Sequence, residues 1–274
     1  MLHGGHVFLL SHMRSYSSVF GHILGSHPEI CGHSERQRGY ADWWALFKLR
    51  TALAAGEGSL ATQRWFLDKI LHNRHRLGET VLNSPRVRLI FFVRRPESTL
   101  ASIVRLGRRE PRVARYADAA EAAGHYLDRL EGLVEVARLS RCPLLFFEAE
   151  DFETQLETVL ERVGDWLGLH SPLSPSYRVF SDTGQAGAGD SSENIRKGRF
   201  MPHRGAGEPV AIDPTLLRRC EEGHAWCVRR LAEIAAERGL VLRSGRQSED
   251  LWMHEKTGAN GGGGYDAERR GVDD

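Results

Sequence analysis

Short apolar runs alternate with longer amphipathic segments along most of the chain. The runs at residues 6–10, 87–93 and 143–147 are between five and seven residues long. Continuous apolar runs of this length are typical of strands that are buried in a parallel sheet. We therefore predict a parallel sheet whose strands are separated by helices.

Apolar residues at helical spacing fill the intervals between these runs. The aromatic residues Trp43, Trp44 and Phe47 share this spacing, and we expect them to face the core. The predicted helices are residues 17–25, residues 40–77 as two helices divided at Gly56 and Gly58, a helix containing Leu100, Ile103 and Val104, and residues 117–139, 152–167 and 213–239. This alternation predicts an α/β three-layer sandwich, with a central parallel sheet and helices on both faces.

Two segments fall outside the alternation. Residues 181–209 are rich in Gly, Ser, Asp and Pro with embedded basic residues, which predicts a long loop of functional or disordered character. Residues 243–274 are polar and contain four consecutive glycines, which predicts a disordered tail. We expect a single α/β domain over residues 1–242, followed by that tail.

Composition narrows the class of protein. The chain has 274 residues, and 41% of them are hydrophobic, which is enough for a sizeable core. Lys and Arg number 37 against 36 Asp and Glu, and the resulting net charge of +1 argues against nucleic acid as a partner. Because there is no membrane-length apolar run, no export signal and only four cysteines, we expect a cytoplasmic protein without a membrane partner.

The polar loop after the first predicted strand has the composition of an anion site. A helix N-terminus offers unpaired backbone N–H groups and the positive end of a dipole. Arg14 adds a charge there, and Ser15, Ser17 and Ser18 add hydroxyl donors. The loop lacks the GxxxxGK[ST] pattern of nucleotide kinases, so it suits phosphate without a metal. An ordinary polar turn with a serine helix cap fits this segment equally well.

Two further basic segments follow strands or lie in the long loop. Arg94 ends the second predicted strand, at the edge where α/β sheets bind ligands, and Ser102 follows in the next helix. Arg196, Lys197 and Gly198 lie in the 181–209 loop, where charge and backbone N–H groups could hold a phosphate. Taken alone, each segment is better explained as solvent-exposed surface.

Together these segments resemble the motifs of the PAPS-dependent sulfotransferases, which use 3′-phosphoadenosine 5′-phosphosulfate (PAPS). Residues 13–18, MRSYSS, are similar to the family's 5′-phosphosulfate loop, written PRSGST or PKSGTT. Residues 93–102, VRRPESTLAS, resemble its 3′-phosphate motif, and residues 193–199, ENIRKGR, its late RKG segment. Residues 144–169 resemble a further family segment. The resemblance covers roughly residues 6–200 and implies a P-loop NTPase-like fold, PAPS as donor, PAP as product, and no metal.

The resemblance is closest, in local pattern, to the tyrosylprotein sulfotransferases and their bacterial relatives. In residues 27–35, HPEICGHSE, Glu35 takes the position of the family's general base. Residues 67–73, LDKILHN, are similar to a segment that carries a basic residue, which nominates Lys69. The resemblance therefore implies Glu35, Lys69 and Arg14 as the catalytic residues.

The resemblance also implies a set of donor-binding residues. They are Arg14, Ser15, Tyr16, Ser17 and Ser18 for the 5′-phosphosulfate, and Arg94, Ser102, Arg196, Lys197 and Gly198 for the 3′-phosphate. Tyr16 departs from the family, because it stands where the loop normally has glycine. Met13 and Leu71 replace prolines of the loop and of the Lys69 segment.

Several other residues have a chemical and a structural explanation. His33 and His72 are alternative bases or substrate contacts, although each is more typical of polar lining or surface. Cys220, His224 and Cys227 share one face of the last predicted helix, at a spacing that fits either a zinc site or a buried stripe. We favour the buried stripe and expect no metal.

Two other functions compete with sulfuryl transfer. A magnesium-dependent P-loop kinase would use Glu148 near its metal, although the kinase lysine and glycines are missing from the loop. A non-catalytic homologue that keeps the nucleotide site is the second alternative. The acceptor is a hydroxyl of a small natural product, a carbohydrate, a lipid or a tyrosine, and the sequence does not choose among these or between a monomer and a homodimer.

Overall fold

The computed structural model describes residues 4–57, 63–184, 193–201 and 209–242. Met1–Arg243 form one compact unit, which carries all of these residues. The tail predicted over residues 243–274 lies outside them. Within the described residues, no helix is long and apolar enough to cross a membrane.

Six parallel strands form one sheet in this unit. In chain order they are β1 (Gly5–Leu10), β2 (Ile30–Cys31), β3 (Trp65–Ile70), β4 (Val87–Val93), β5 (Leu144–Glu148) and β6 (Gly239–Val241). Their order across the sheet is β2-β3-β1-β4-β5-β6. Every neighbouring pair is parallel, so the predicted parallel sheet is confirmed.

Helices connect these strands in the manner of an α/β fold. They are α1 (Ser17–Gly25), α2 (Trp43–Glu57), α3 (Glu79–Leu82), α4 (Pro96–Arg109), α5 (Ala119–Leu139), α6 (Ala149–Thr154), α7 (Leu156–Leu167) and α8 (Pro214–Arg238). Two 3-10 helices, Pro111–Ala117 and Glu193–Lys197, complete the described elements. Asp118 and Asp213 cap α5 and α8 through their carboxylates, which explains where these long helices begin.

The prediction of two helices over residues 40–77 is wrong in its second half. The segment Trp65–Ile70 is strand β3, buried along its whole length between β1 and β2. Asp68 and Lys69 interrupt its apolar run and give it the spacing of an amphipathic helix. Both side chains are nevertheless buried, because each is held by polar partners at the site described below.

The aromatic residues at the start of α2 also differ from expectation. Trp43 is 71% exposed and Trp44 is 47% exposed, so neither belongs to the core. Leu46, Leu49 and Leu53 form the buried stripe of this helix instead. Helical spacing alone does not distinguish these two faces, because both carry apolar residues.

The sheet separates two apolar clusters, one on each face. Alternate residues of β1 point to opposite sides: Phe8 and Leu10 belong to the cluster that includes α4, α5 and α8, and Val7 and Leu9 to the one that includes α1 and α7. Helices therefore cover both faces, which confirms the predicted three-layer sandwich. The carboxyl end of β1 lies between those of β3 and β4, at the switch point where such sheets bind ligands.

Candidate active site

The loop between β1 and α1 is tied to the neighbouring strand by its serines. Ser11 Oγ contacts the carbonyl oxygen of Phe92 at 2.5 Å and Ser15 Oγ at 2.7 Å. Ser15 Oγ donates in turn to the carbonyl of His12 at 2.8 Å. Helix α1 then begins with no side-chain cap and no acidic residue in its first turn. Its N-terminus is therefore suited to an anion.

Tyr16, which stands where the similar motif has glycine, has a left-handed backbone conformation. Its φ is 70° and its ψ is 8°, a left-handed conformation that costs a non-glycine residue free energy. The neighbouring Arg14 also has a positive φ, of 62°. The tight turn is therefore retained despite the substitution, and contacts of the Tyr16 side chain compensate for the strain.

Arg14, Arg94 and Ser102 meet beside this loop, although they come from three separate segments. Arg14 Nε donates to Ser102 Oγ at 2.8 Å, and Arg94 Nη1 donates to the carbonyl of Arg14 at 3.3 Å. The N–H of Arg94 donates to His12 Nε2 at 2.9 Å, so this ring is neutral and accepts there. Burial is the largest cause that lowers the pKa of His12, to about 3, and this keeps the ring neutral.

The Arg94 guanidinium lies on the Tyr16 ring. Its central carbon is 4.1 Å from the ring centroid, and its Nη2 donates to the Tyr16 hydroxyl at 2.6 Å. That hydroxyl donates to Glu153, whose Oε1 is 3.7 Å from Arg94 Nη2. Arg94 Nε is buried and has no hydrogen-bond partner among the described residues. A buried, unpaired guanidinium N–H is the group that an incoming anion would satisfy.

On the other side of the loop, Lys69 and Glu35 come from β3 and from the segment after β2. Lys69 is 1% exposed, and its ammonium donates to Ser18 Oγ at 3.1 Å. Glu35 carries a buried carboxylate oxygen, Oε1, with no hydrogen-bond partner among the described residues. Lys69 thus contacts the first turn of α1, and its positive charge also acts on Glu35.

The surroundings of Glu35 act on its protonation in opposite directions. Burial raises the pKa of this carboxyl above its ordinary value of 4.5. Lys69, Arg74 and Arg129 lower the pKa through their positive charges, and the N–H of Leu71 lowers it through a hydrogen bond. Glu35 therefore combines an available oxygen with neighbours that favour its ionised form, as a general base requires.

Most of these residues line a large cavity of about 1130 Å³ at the carboxyl edge of the sheet, although Lys69 is not among its lining residues. Arg14, Ser15, Tyr16, Ser17, Ser18, Glu35, Arg94 and Ser102 all contribute to its wall. Among the described residues, eight arginines line it against three glutamates, namely Arg14, Arg74, Arg94, Arg105, Arg109, Arg112, Arg115 and Arg199 against Glu35, Glu97 and Glu110. The cavity is thus strongly cationic, although the chain as a whole is nearly neutral.

In the late basic segment, residues 193–199, the residues that line the cavity are not the predicted ones. Arg196 and Lys197 are exposed, and Arg196 Nη2 donates to the carbonyl of Gly184 at 3.4 Å. Neither residue lines the cavity, and nor does Gly198, whose φ is 68°. Asn194 and Arg199 line it instead. The roles assigned to Arg196, Lys197 and Gly198 stay predictions.

The two alternative histidines lie in different places. His72 lines the cavity with its Nε2 3.9 Å from Glu35 Oε1, and burial lowers its pKa to about 3. His33 does not line it; its ring stacks on Phe180 at 3.6 Å and its Nε2 is 2.7 Å from Asp182 Oδ1. Of the two, His72 is therefore the one beside the candidate base.

The stripe of Cys220, His224 and Cys227 belongs to the core of the sandwich. Both cysteines are fully buried, and Cys227 Sγ contacts the carbonyl oxygen of Leu130 at 3.7 Å. Across the part of the chain that the structure describes, no group of three or more His, Cys, Asp or Glu is arranged to hold a metal. The spacing therefore reflects packing between α8 and α5.

Three residues of this region are not singled out by any motif. Glu153 and Arg199 lie inside segments that resemble the family, but their side chains enter the site only through the fold. Arg129 lies on the buried stripe of α5, between Tyr126 and Leu133. An arginine among the apolar positions of a helix is itself a sequence signal of a special role, because a buried charge is costly unless it has specific partners.

Comparison with known proteins identifies the fold. No protein-family model and no curated protein matches the sequence. Among solved structures, the sulfotransferase domain from the curacin biosynthetic pathway matches with a TM-score of 0.50 and 14% identity, covering 82% of this chain and 98% of that domain. A second match is the sulfotransferase domain from the Synechococcus PCC 7002 olefin synthase, with a TM-score of 0.49, 16% identity, and coverage of 81% and 95%.

At this level of identity the comparison defines the fold. The chain is folded as a sulfotransferase domain, with the P-loop-like α/β architecture that the motifs implied. The predicted fold class is confirmed. The donor, the acceptor and the roles of single residues are inferred from the site alone.

Proposed function

We propose that this protein is a sulfotransferase that moves the sulfuryl group of PAPS to an acceptor hydroxyl. The observation that carries the proposal is the convergence of two sets of side chains around the N-terminus of α1. Arg14, Arg94 and Ser102 lie on one side, with one buried guanidinium N–H unsatisfied. Lys69 and Glu35 lie on the other.

The donor set fits PAPS. The α1 N-terminus with Ser17 and Ser18 would hold the 5′-phosphosulfate, and Arg94 with Ser102 would hold the 3′-phosphate. Bidentate arginine contacts and hydroxyl donors suit phosphate oxygens without a bridging metal. The cavity of about 1130 Å³ has room for both the donor and an acceptor.

The reaction needs one proton acceptor and stabilisation of one leaving group. Glu35 would take the acceptor's hydroxyl proton while that oxygen forms a bond to sulfur, and the bond from sulfur to the donor's phosphate oxygen would break. Lys69 and Arg14 would stabilise the negative charge that develops on that bridging oxygen. The products are the sulfated acceptor, protonated Glu35 and PAP, so protons and charge balance.

The acceptor class is a hydroxyl compound that reaches Glu35 Oε1 from the open side of the cavity. A small natural product, a carbohydrate or a tyrosine phenol would meet this requirement. We favour sulfuryl transfer over a magnesium-dependent kinase because the loop offers Arg14 and Tyr16 where a kinase needs its lysine and glycines.

The test is donor turnover, followed as PAP release from PAPS with a panel of hydroxyl acceptors. We expect the wild-type protein to release PAP with at least one acceptor, with magnesium present or chelated. Glu35→Gln should lower kcat at least about 100-fold and leave PAP affinity within about threefold. Glu161→Gln, an exposed change on α7, is the matched control and should behave as wild type.

Three outcomes would contradict the proposal. Full activity of Glu35→Gln would remove the base from the mechanism. Binding of PAP by the wild-type protein without turnover over the whole acceptor panel would favour a non-catalytic nucleotide-binding protein. Phosphoryl transfer from ATP with magnesium, without use of PAPS, would favour the kinase.

A further inference from the structure

Arg129 of α5 is a fully enclosed cation beneath the candidate site. Its side chain is 2% exposed, and burial lowers its pKa to about 9. Nε donates to the carbonyl of Ser11 at 2.8 Å, Nη2 to the carbonyl of Ile70 at 2.5 Å, and Nη1 to Asn73 Oδ1 at 2.7 Å. All three acceptors are uncharged, so the charge of Arg129 is not neutralised by them.

Two of these acceptors lie where strands β1 and β3 end. Ser11 follows β1 and opens the anion loop, and Ile70 is the last residue of β3, directly after Lys69. One guanidinium therefore fixes the spacing between the loop that would hold the donor and the strand that carries Lys69. Lysine lacks the planar guanidinium group, so it could not donate to both carbonyls and to Asn73 at the same time.

A single peptide group connects Arg129 to Glu35. The carbonyl of Ile70 accepts from Arg129, and the N–H of the same peptide, which belongs to Leu71, hydrogen-bonds the Glu35 carboxylate. A cation on the carbonyl side polarises the peptide and makes its N–H a better donor to an anion. The positive charge of Arg129 also acts on Glu35 directly.

Asn73 packs closely against α5 beside Arg129. Asn73 Nδ2 donates to the carbonyl of Asp128, and its Oδ1 receives Arg129 Nη1. A methyl group on Gly132, one helical turn after Arg129, would lie 2.2 Å from Asn73 Oδ1. A glycine in the middle of α5 lowers helix propensity, and its close contact with Asn73 explains why it is there.

We propose that Arg129 is the positioning residue of the Glu35 base. Through the Ile70–Leu71 peptide it fixes the carboxylate, and through its charge it favours the ionised form that can accept a proton. The inference rests on the proposed sulfuryl transfer for its kinetic consequence, but the contact between Arg129 and Glu35 is tested independently of activity.

Other titratable groups also surround Glu35, and the test must separate the effect of Arg129 from theirs. Lys69 and Asp68 face it from β3, with Asp68 hydrogen-bonded to the Tyr40 hydroxyl at 2.5 Å. Arg74 and His72 face it from the segment after β3. Burial lowers the pKa of His72 to about 3, and that of His125 behind it to about 4, so both rings are neutral near pH 7. Removing Arg129 leaves all of these groups in place.

The experiment combines carbon NMR of the Glu35 carboxyl with the pH profile of kcat/KM for PAPS. Glu35→Gln identifies the Glu35 resonance. For Arg129→Met we expect the pKa of Glu35 and the acid limb of the profile to rise by about one unit, because a positive charge near the carboxylate is lost. We expect kcat at pH 7 to fall at least about 10-fold, with KM for PAPS within about threefold.

Arg129→Lys and Arg138→Lys form the matched pair on α5, since Arg138 is exposed. Arg129→Lys keeps the charge without the fork, so we expect kcat about fivefold lower and a smaller change in the pKa of Glu35 than Arg129→Met produces. Arg138→Lys should match the wild-type protein in both readouts. If Arg129→Met does not fold, Arg129→Lys decides: wild-type kcat and wild-type Glu35 titration would overturn the proposal.

The proposal and the proposed function fail in different ways. An unchanged Glu35 titration in folded Arg129→Met, with kcat/KM reduced only in proportion to the folded fraction, would leave Arg129 a structural residue and the sulfotransferase intact. Absence of PAPS turnover by the wild-type protein, with a Glu35 titration that depends on Arg129, would overturn the proposed reaction and keep the positioning contact.

Discussion

Tyr16 shows how one residue can depart from a motif while the local backbone keeps its shape. Glycine is usual at such positions because a left-handed φ is free of strain for it. Tyr16 takes a φ of 70° and instead uses its side chain, which stacks under Arg94 and donates to Glu153. The motif locates the loop correctly, but it contains no information about this replacement.

We expect the negative charge of Glu153 to weaken binding of the donor. It lies 3.7 Å from the guanidinium that we assign to the 3′-phosphate, so it competes with and repels an incoming anion. Glu153→Gln keeps an acceptor for the Tyr16 hydroxyl and removes the charge. We expect PAP to bind roughly threefold to tenfold more tightly to this variant, measured by calorimetry.

The control for this prediction is Glu157→Gln, an exposed change in the first turn of α7. It should leave the affinity for PAP unchanged. Unchanged or weaker binding of PAP to Glu153→Gln would show that Glu153 does not oppose the donor, and would place the 3′-phosphate elsewhere.

At the scale of single elements, α1 is held close to the segment that carries Glu35. A methyl group on Gly21 would lie 2.6 Å from the carbonyl oxygen of His33, and one on Gly25 would lie 2.4 Å from that of Gly32. These contacts are backbone atoms of adjoining segments, which cannot move as a flexible side chain would. The two glycines therefore determine how near Glu35 comes to the anion loop.

Gly21→Ala tests this packing of α1. The added methyl group has to displace the His33 backbone, so we expect the free energy of unfolding to fall by about 1–3 kcal/mol, measured by urea denaturation. Transfer activity should fall further than the folded fraction explains, because Glu35 follows His33 by two residues.

Gly124→Ala is the matched control on α5, where an added methyl group meets nothing within 4 Å. There we expect a free energy of unfolding equal to that of the wild-type protein or up to about 1 kcal/mol higher, from helix propensity. If both variants were equally stable and equally active, close packing of α1 would not matter for the site.

The elements also show which parts of the fold the apolar pattern can reveal. Strands β1, β4 and β5 are predicted because every residue in them is apolar or nearly so. Strand β3 is missed because Asp68 and Lys69 are buried polar residues, and β6 because three residues at the edge of a sheet have no periodicity. The missed strand is the one that carries Lys69, a candidate catalytic residue.

For the whole molecule, the number of buried neutral histidines predicts a loss of stability in acid. Burial lowers the pKa of His12 and His72 to about 3 and of His6, His22, His125 and His224 to about 4, from an ordinary 6.5. Below pH 6.5 the unfolded chain therefore binds more protons at these positions than the folded protein does. These rings therefore contribute stability that is lost as pH falls from about 6.5 towards 4.

We expect the melting temperature to drop by about 10 °C or more between pH 7.5 and pH 5, followed by circular dichroism. His224→Leu should reduce this slope, because His224 is buried and its Nε2 has no partner among the described residues. A melting temperature that stays constant over this range would show that these rings are charged or exposed in the native protein.

For the molecule as a whole, the sequence predicts the architecture, but it does not predict every residue that the fold brings to the site. The apolar runs predict the sheet, and the motifs predict the loop and the proximity of Arg94 and Ser102. The contact of Arg14 with Ser102 is seen only in the structure. Arg129 and Glu153 join the site only through the folding of distant helices onto it. No spacing along the chain records such contacts, because they depend on packing between α5, α6 and the sheet.

The proposed donor site depends on Arg94, and calorimetric titration with PAP measures that dependence. The titration compares wild type, Arg94→Ala and the exposed neighbour Arg95→Ala, each with magnesium and with a chelator. Wild type and Arg95→Ala should bind PAP independently of magnesium, and Arg94→Ala should bind it at least about 100-fold more weakly. Folded wild-type protein that does not bind PAP, or Arg94→Ala that binds it as tightly as wild type, would rule out this donor site.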